Sequence, residues 1–246
     1  GSPIDRLGME FVVEFPRIQP IRTDLRLDGA YGYTKYVNEG EWEYMRTIFT
    51  GDKSYPYVGI YPDTGGATVT FNGRKTQRLD ANLTATTHIP SIRMIITLRL
   101  EAMLLHRQQN LSEWNGQTHA FNVAEDSSVP TGGDIYDGNS YTAIWPVAYL
   151  DQDGVRHPFT DVERNDPAFA SMLLRSGNAY QYRLTDYDPY FSANLSVTKE
   201  IGDHVSISFY ANNFTNSRKY VCPYAGGVGS IFTPKFYYGL TVRIKF

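Results

Sequence analysis

The chain ends in the stretch Phe236-Tyr237-Tyr238-Gly239-Leu240-Thr241-Val242-Arg243-Ile244-Lys245-Phe246, and this stretch decides the fold. Every second residue from Phe236 onward is apolar or aromatic, and mostly polar residues or glycine lie between them. Because successive side chains of a strand point to opposite faces, this alternation predicts a strand with one apolar and one polar face. A strand that ends on an exposed phenylalanine gains little in water. An apolar face against lipid, with aromatic side chains at the membrane interfaces, explains the pattern better.

This strand resembles the C-terminal strand of a bacterial outer-membrane β-barrel. In that class the last strand pairs with the first to close the barrel, and its aromatic pattern is read by the barrel-assembly machinery. The resemblance assigns the insertion signal to Tyr238, Gly239, Leu240, Val242, Ile244 and Phe246. The alternative is an amphipathic edge strand of a water-soluble β-sandwich.

Composition agrees with a β-rich chain and narrows the partners. The 246 residues include 19 Tyr, 13 Phe and 21 Gly, which suits a protein of strands and turns. A net charge of −3 provides no basic stripe, so we expect no nucleic-acid partner. No stretch of the sequence reaches the roughly 18 apolar residues that a transmembrane helix needs, whereas a transmembrane β-strand needs only about ten alternating residues. The single cysteine, Cys222, has no partner for a disulfide or a metal site.

Further segments show the same alternation as the terminal stretch. By residue number they are 9–15, 22–33, 78–86, 94–104, 191–198 and 205–210. Residues 99–105 also have good helix formers, so a helix over 92–105 is an alternative, although the alternation of the first half favours a strand. Together with the terminal stretch, the pattern predicts about seven antiparallel strands.

Short and long connections alternate between these strands. The short ones are 16–21, 88–91 and 200–204, and the long ones are 37–74, 107–186 and 214–234. Since every second crossing returns the chain to the same end, all long connections project from one side. Short periplasmic turns and long extracellular loops are the plan of an outer-membrane barrel. We therefore predict an all-β fold, the C-terminal portion of a larger antiparallel transmembrane β-barrel, because seven strands with such inserts would leave unpaired edges in lipid.

Within the long connections the sequence indicates little regular structure. Residues 37–74 are expected to be irregular. Asp153-Gly154 predicts the turn of a small hairpin. Asn165 to Gly177 predicts a short helix, with a polar cap, a proline in the first turn and a glycine at the end.

Segments near the end of the chain resemble a TonB-dependent receptor of the Bacteroidetes, SusC-like kind. They are Lys199-Glu200-Ile201-Gly202-Asp203, the run Ser208 to Asn216 with its Asn212-Asn213-Phe214-Thr215-Asn216, and the closing strand; Gly8 to Phe15 is similar to a late barrel strand. The resemblance implies a barrel of about 22 strands around an N-terminal plug. It implies TonB-driven import of a nutrient ligand (a glycan, a peptide or a metal complex) across the bacterial outer membrane, and leaves open a SusD-like surface lipoprotein as a lid. On this basis residues 1–246 are expected to be the C-terminal barrel segment, with the plug, the first strands and a signal peptide outside them.

Charged side chains line the predicted polar faces. They are Arg22, Asp24, Arg26, Asp28, Arg78, Asp80, Arg99, Glu101, Arg243 and Lys245. In a barrel these residues would face the lumen and contact the plug, and in an ordinary sheet they would be a solvated face. Mixed signs on neighbouring strands favour cross-strand pairs over a selective ion path.

Aromatic side chains in the long loops are candidates for ligand contact. They are Trp42, Tyr44, Tyr57, Trp114, Trp145 and Tyr149. Aromatic rings beside polar groups suit a sugar or another flat ligand, and the alternative is that large loops use aromatic residues to build small cores of their own.

Metal binding and catalysis find little support in the sequence. Asp151, Asp153, Asp161 and Glu163 are candidates for calcium, but their spacing matches no established calcium loop, which favours a solvated acidic loop. The scattered histidines form no repeated metal motif. We therefore expect no enzyme, metal or cofactor. A water-soluble carbohydrate-binding module and, more weakly, a secreted β-rich enzyme are the alternatives to the transporter.

Overall fold

The computed structural model describes residues 4–50, 53–62, 72–127, 129–137, 141–177, 179–224, 229–231 and 234–245. Its strands, in chain order, are β1 (Ile4–Ile18), β2 (Thr23–Val37), β3 (Glu41–Thr50), β4 (Lys53–Pro62), β5 (Gly73–Ile89), β6 (Met94–Leu111), β7 (Glu113–Trp114), β8 (Gln117–Thr118), β9 (Ala120–Val123), β10 (Tyr141–Ile144), β11 (Ala148–Leu150), β12 (Arg156–Pro158), β13 (Leu174–Ser176), β14 (Thr185–Tyr187), β15 (Tyr190–Ile201), β16 (Val205–Asn212), β17 (Tyr220–Val221), β18 (Ser230–Ile231) and β19 (Tyr237–Ile244). The α-helix α1 covers Asp161–Asn165, and short 3₁₀ helices lie at Gln19–Ile21, Pro90–Ile92, Ile135–Asp137, Pro167–Met172 and Ala179–Tyr182. The fold is all-β, as predicted.

Eight strands make up the main sheet, and seven of them follow the order β1-β2-β5-β6-β15-β16-β19. Each pair of neighbours is antiparallel, and β14 pairs with the far end of β6. These seven are the strands that the alternation predicts, so their places in the chain and their antiparallel pairing are confirmed. β6 is a strand throughout, which rules out the helix considered for 92–105. Over the described residues the sheet is open, with β1 and β19 as its edges.

Cross-strand register places apolar residues opposite apolar residues over the whole width of the sheet. One row contains, strand by strand, Phe15, Leu25, Ala85, Leu98, Leu195, Ala211 and Tyr238. A neighbouring row on the opposite face contains Glu14, Arg26, Thr84, Arg99 and Asn194. Since a slip of one residue would move every side chain of a strand to the other face, this pattern specifies the register. The main sheet therefore has one apolar face and one polar face.

The apolar face is exposed, and the packed cores of the protein lie elsewhere. Leu100 and Phe191 in the middle of the sheet are 43% and 61% exposed, and Leu240 in β19 is 63% exposed. By contrast, the three clusters in which buried apolar residues pack together have members that all come from the long connections. One face of the sheet is thus about as apolar as a protein interior, and this face is exposed to the surroundings.

The long connections are structured, which corrects the expectation of irregular loops. Residues 37–74 contain the hairpin of β3 and β4, whose pairing runs from Glu41–Pro62 to Thr50–Lys53. β11 of the longest connection adds to β4, so the two loops share a four-stranded sheet with β12. The hairpin predicted at Asp153-Gly154 is confirmed between β11 and β12.

The helix predicted at 165–177 is confirmed at its start, where Asp166 caps a 3₁₀ helix over Pro167–Met172 with proline in the first turn, and is wrong over Leu174–Ser176, which form β13. The helix α1 begins earlier, after Thr160, and ends at Asn165. Asp166 precedes Pro167, and a residue before proline is pushed out of the helical region, so Asp166 adopts an extended conformation. A 3₁₀ helix and the strand β13 follow it. The described helices are all short, and none is long and apolar enough to cross a membrane.

Candidate functional site

The polar face carries a belt of alternating charges across its central strands. Arg26 lies between two carboxylates, 3.6 Å from Glu14 and 3.7 Å from Asp28. The Asn82 amide donates a hydrogen bond to the other oxygen of Asp28 at 2.9 Å. The cross-strand pairing predicted for this part of the face is therefore present. These side chains are largely exposed, so each pair contributes little to stability.

The belt continues on the next strands. The guanidinium of Arg99 lies 3.1 Å from Glu101, whose carboxylate also accepts a hydrogen bond from the Ser192 hydroxyl at 3.3 Å. Above them Arg78 donates to Asp80 at 2.6 Å. Every guanidinium of this stretch has a carboxylate beside it, so the belt is close to neutral. Such a surface suits water or a polar protein surface rather than one sign of ion.

The remaining charged candidates lie nearer the short turns. Arg17 donates to both carboxylate oxygens of Asp24, and His88 lies 3.7 Å from the same carboxylate. Arg243 is on the polar face, opposite Ser206. Arg22 does not share that face, because it ends the 3₁₀ turn in a left-handed conformation with φ 49° and so leaves the strand alternation. Its predicted position on the polar face is wrong for this reason.

The candidate insertion signal lies on β19, at one edge of the sheet. Tyr238, Leu240, Val242 and Ile244 share the exposed apolar face. Gly239 is on the polar face, where a Cβ atom would lie only 2.3 Å from the hydroxyl oxygen of Tyr210. Glycine is therefore needed there for the tyrosine ring to lie over the strand. Phe246 lies outside the described residues.

Most of the aromatic candidates build cores inside the loops. Trp42 and Tyr44 stack with ring centroids 5.0 Å apart and pack against the cluster that contains Tyr61. Tyr57 and Tyr149 are 5.7 Å apart in a second cluster. The alternative considered for these residues, small cores within large loops, is thus what their contacts show. Their contact with a ligand stays a prediction.

Trp145 also lines two open clefts in the loop layer, and Trp114 lines the smaller of them. The indole of Trp114 donates to the Gly40 carbonyl at 2.9 Å, which fixes the ring over the entry to the β3–β4 hairpin. Trp145 stacks on Phe159 with ring centroids 5.5 Å apart. One cleft has a volume of about 720 Å³ and the other about 320 Å³. Both are lined by Phe121, Trp145 and Arg164, so these three residues form the boundary between the clefts.

The helix α1 forms the polar wall of the larger cleft. Thr160 and Glu163 make a reciprocal capping box, which satisfies free N–H groups at the helix start. Hydrogen bonds from the Thr160 hydroxyl and N–H lower the pKa of Glu163. Arg164 pairs with Asp161 at 3.1 Å, and the apolar wall opposite includes Val129. The spacing Thr-x-x-Glu could have located this helix start from the sequence.

Asp151 shapes the turn between β11 and β12. The Asp151 carboxylate accepts hydrogen bonds from the backbone N–H groups of Asp153 and Val155, both at 2.9 Å, and lies 2.8 Å from His157 Nε2. The hydrogen bond with His157 is the main cause that lowers the pKa of Asp151, and the hydrogen bonds from the backbone lower it further. Among the described residues, no group of His, Cys, Asp and Glu is arranged to hold a metal ion.

Asn213 holds the last long loop to the sheet, a role that sequence reasoning missed. Its side-chain amide donates to the carbonyls of Ser217 and Pro234, and its oxygen accepts from the Ser217 N–H and the Thr215 hydroxyl. Its own N–H donates to Asn194 on β15 at 2.8 Å. The residue is buried and has a φ of 45°, a conformation that asparagine tolerates better than most residues.

The same loop is tied to the longest connection. Lys219 donates to Asp188 at 2.6 Å, which lowers the pKa of that carboxyl. The Arg183 guanidinium lies 5.6 Å from the centre of the Tyr224 ring, and the Tyr224 N–H donates to the Thr185 hydroxyl at 3.0 Å. The loops therefore contact one another as well as the sheet.

Comparisons with known proteins provide no further assignment. No profile of a known protein family matches the chain, no curated protein matches it, and no solved structure matches its fold.

Proposed function

We propose that this chain is the C-terminal segment of a transmembrane β-barrel in the bacterial outer membrane, and that the complete protein is a TonB-dependent transporter for a nutrient ligand. One observation carries the proposal: the exposed apolar face that runs unbroken over seven neighbouring strands. In water a face of this size would be a strong driving force for association, whereas in a bilayer it is the surface that lipid requires.

The height of the apolar face fits a bilayer. On β6 it extends from Met94 beside the short turn to Leu105. At about 3.3 Å per residue this is roughly 36 Å of strand, and at a tilt of about 40° it spans roughly 28 Å, close to the ~25 Å apolar band of such barrels. The next row along the strands contains Tyr33, Gln77 and Arg107. The apolar character thus ends at a row that contains an aromatic, an amide and a charged side chain, as expected at a membrane interface.

The open edges support a larger barrel. β1 and β19 each have one neighbour in the main sheet. In hydrocarbon every unpaired backbone N–H or C=O costs several kcal/mol, so further strands must pair with both edges. Strands that lie outside this chain would close the sheet, with outer-membrane lipid around it and the barrel-assembly machinery as the partner during insertion.

Import is supported by the polar face and by the loops together. The near-neutral charge belt of Arg26, Asp28, Arg99 and Glu101 suits the wet inner wall that contacts a plug. The clefts beside Trp145 offer an aromatic surface for first capture of a ligand. The sequence resemblance supports a TonB-type complex as the energy source and leaves a SusD-like lipoprotein as a further partner. The ligand class stays a glycan, a peptide or a metal complex.

Spin labelling tests the membrane location directly. Cys222, the single cysteine, is replaced by serine, and one cysteine is introduced either at Val197 on the apolar face or at Ser196 on the polar face. In cell-derived outer membranes, a nitroxide at position 197 should collide mainly with oxygen, which concentrates in lipid, and one at position 196 mainly with a water-soluble nickel complex. Equal access of nickel to both positions, or recovery of the protein without detergent, would refute the proposal.

Growth on defined nutrients tests import. A strain that lacks the gene is compared with its parent on glycans, peptides and metal complexes supplied singly at limiting concentration. We expect a growth defect on one class, restored by the gene and lost again when the TonB-type energising complex is removed. Equal growth of both strains on every member of the three classes would count against a transporter.

A further inference from the structure

Two of the three short turns are built in the same way. In each, a 3₁₀ helix with a proline, Gln19–Ile21 or Pro90–Ile92, is followed by an arginine with positive φ. Arg22 has φ 49° and Arg93 has φ 48°. The left-handed conformation is unfavourable for a residue with a Cβ atom and easy for glycine. In both turns arginine therefore occupies a position that favours glycine.

Arg93 shows what the side chain does. Its guanidinium donates to the Gly202 carbonyl and to the Asp203 carboxylate, both at 2.8 Å, and so joins the turn at 90–92 to the turn that follows β15. A second cation approaches from the apolar face: the Lys199 ammonium donates to the Ile92 carbonyl. Lys199 lies in a row with Met94 on one side and Ile207 on the other. A lysine in this apolar row lies at the edge where the face meets the turns.

An open notch of about 440 Å³ lies between the two turns. Its lining residues are Ser91, Ile92, Arg93, Lys199, Glu200, Ile201, Gly202 and Asp203. Ile92 and Ile201 are 46% and 51% exposed, so the notch has an apolar rim that continues the apolar face. Two cations and two carboxylates line it, and their charges cancel. A single mobile anion would therefore gain little there.

We infer that this notch binds the headgroup of a zwitterionic aminophospholipid from the leaflet on the side of the short turns. The lipid phosphate accepts hydrogen bonds from Lys199 and Arg93, and the primary ammonium donates to Asp203. The acyl chains lie along Ile92, Ile201 and the apolar face. The site rests on the proposed function, because it needs the apolar face to be in a bilayer.

Charge complementarity selects this lipid over others. A headgroup with one phosphate and one ammonium matches a lining with both signs, whereas a purely anionic headgroup would leave the carboxylates unmatched. A primary ammonium can donate hydrogen bonds to Asp203, which a quaternary ammonium cannot. Quaternary ammonium groups are recognised by aromatic rings, and the described residues that line the notch include none.

The experiment measures lipid binding to the intact protein, purified from its membrane and held in detergent. Native mass spectrometry follows the uptake of phosphatidylethanolamine, phosphatidylcholine and phosphatidylglycerol of the same chain length. We expect phosphatidylethanolamine to bind roughly tenfold more tightly than the other two, the change expected for one charge-assisted hydrogen bond. Lys199→Gln should weaken this binding by a similar factor, and Asp203→Asn should remove the preference over phosphatidylcholine.

Matched variants separate the notch from general effects. Lys219→Gln is the matched control, because Lys219 also donates to a neighbouring residue, Asp188, but lies at the long-loop end of the sheet. This variant should leave lipid binding unchanged. Lys199→Arg keeps the charge and should restore binding, which excludes a folding defect. Equal binding of the three lipids, or equal effects of Lys199→Gln and Lys219→Gln on binding, would overturn the lipid site. The barrel would still be supported in that case if the protein needs detergent to stay in solution. A protein that stays monomeric in water without detergent would instead overturn the proposed function.

Discussion

Arginine substitutions along β6 offer the sharpest test of which surroundings the apolar face has. Leu98 is on that face, between Ala85 and Leu195, whereas its neighbour Thr97 is on the polar face, between Thr86 and Ser196. The pair Leu98→Arg and Thr97→Arg therefore introduces the same side chain one residue apart on opposite faces. Met94→Arg places the charge on the apolar face again, at the beginning of the strand.

The size of the effect follows from the depth of each residue. With a rise of about 3.3 Å per residue and a tilt of about 40°, Leu98 lies roughly 10 Å beyond Met94 along the membrane normal, near the middle of a ~25 Å apolar band. Arginine costs about 2–4 kcal/mol at the midplane and about 0–1 kcal/mol near the interface. We therefore expect Leu98→Arg to lower the free energy of unfolding by about 3 kcal/mol, and Met94→Arg and Thr97→Arg by less than about 1 kcal/mol.

The assay is reversible urea unfolding of the intact protein in lipid vesicles, followed by tryptophan fluorescence. The order of the three variants is more informative than any single value, because a water-exposed sheet would show no dependence on depth. Equal costs for Leu98→Arg and Met94→Arg, or a cost for Thr97→Arg as large as that for Leu98→Arg, would refute the assignment of the face to lipid.

Further predictions concern the loops. Asn213→Ala removes four side-chain hydrogen bonds at about 1 kcal/mol each and should destabilise the last loop by about 2–4 kcal/mol. Amide exchange in this loop should then be faster. In Asn213→Asp the exchange rate should lie between those of the unchanged protein and of Asn213→Ala. Tyr61→Phe leaves the buried Met172 carbonyl without the hydroxyl that binds it at 2.6 Å and should cost about 1–3 kcal/mol of loop stability, seen as cleavage by protease at lower urea. The pKa of Asp151 is lowered in the folded state, so its stabilisation is complete above the unfolded pKa of about 4 and is lost as pH falls through the lower folded value. Protease cleavage of the hairpin should accelerate below about pH 4. In Asp151→Asn the hairpin should be cleaved rapidly at about pH 7 already, with no further acceleration at acid pH. The same acceleration below about pH 4 in that variant would contradict the role of the carboxylate.

The main sheet could be predicted because the pattern that specifies its strands lies within each strand. Alternation within a single strand, as in Leu98, Arg99 and Leu100, identifies both the strand and its two faces without any knowledge of the neighbours. Antiparallel pairing followed directly for the three strand pairs that short connections join, because a short turn leaves adjacent strands no other way to pair. The same alternation favoured a strand over the helix considered for 92–105, since a helix would scatter these side chains around its axis, and the strand β6 excludes that helix.

The loop layer could not be predicted, because its burial depends on residues that are far apart in the sequence. Tyr61 is buried by Ile144 and Tyr182, and β4 gains its neighbour β11 from a different loop. The local sequence pattern of 37–74 does not predict these contacts. The aromatic residues that looked like ligand sites mostly pack against each other for the same reason. The smaller cleft beside Trp145 lies where two loops meet, since Pro62 of one loop and residues of the longest connection line it.

The sequence by itself determined that the chain is all-β, where the seven successive strands of the main sheet lie and which side of each is apolar. These properties depend on the period of two that the pleated backbone imposes on every strand. Only the tertiary structure decided that the seven apolar sides join in register into one face, that the long loops have their own cores, and that Arg93 and Lys199 meet at a notch between two turns. Each of these depends on pairing or packing between distant segments, and the free energy of such contacts is set by the geometry of the whole fold rather than by any one stretch.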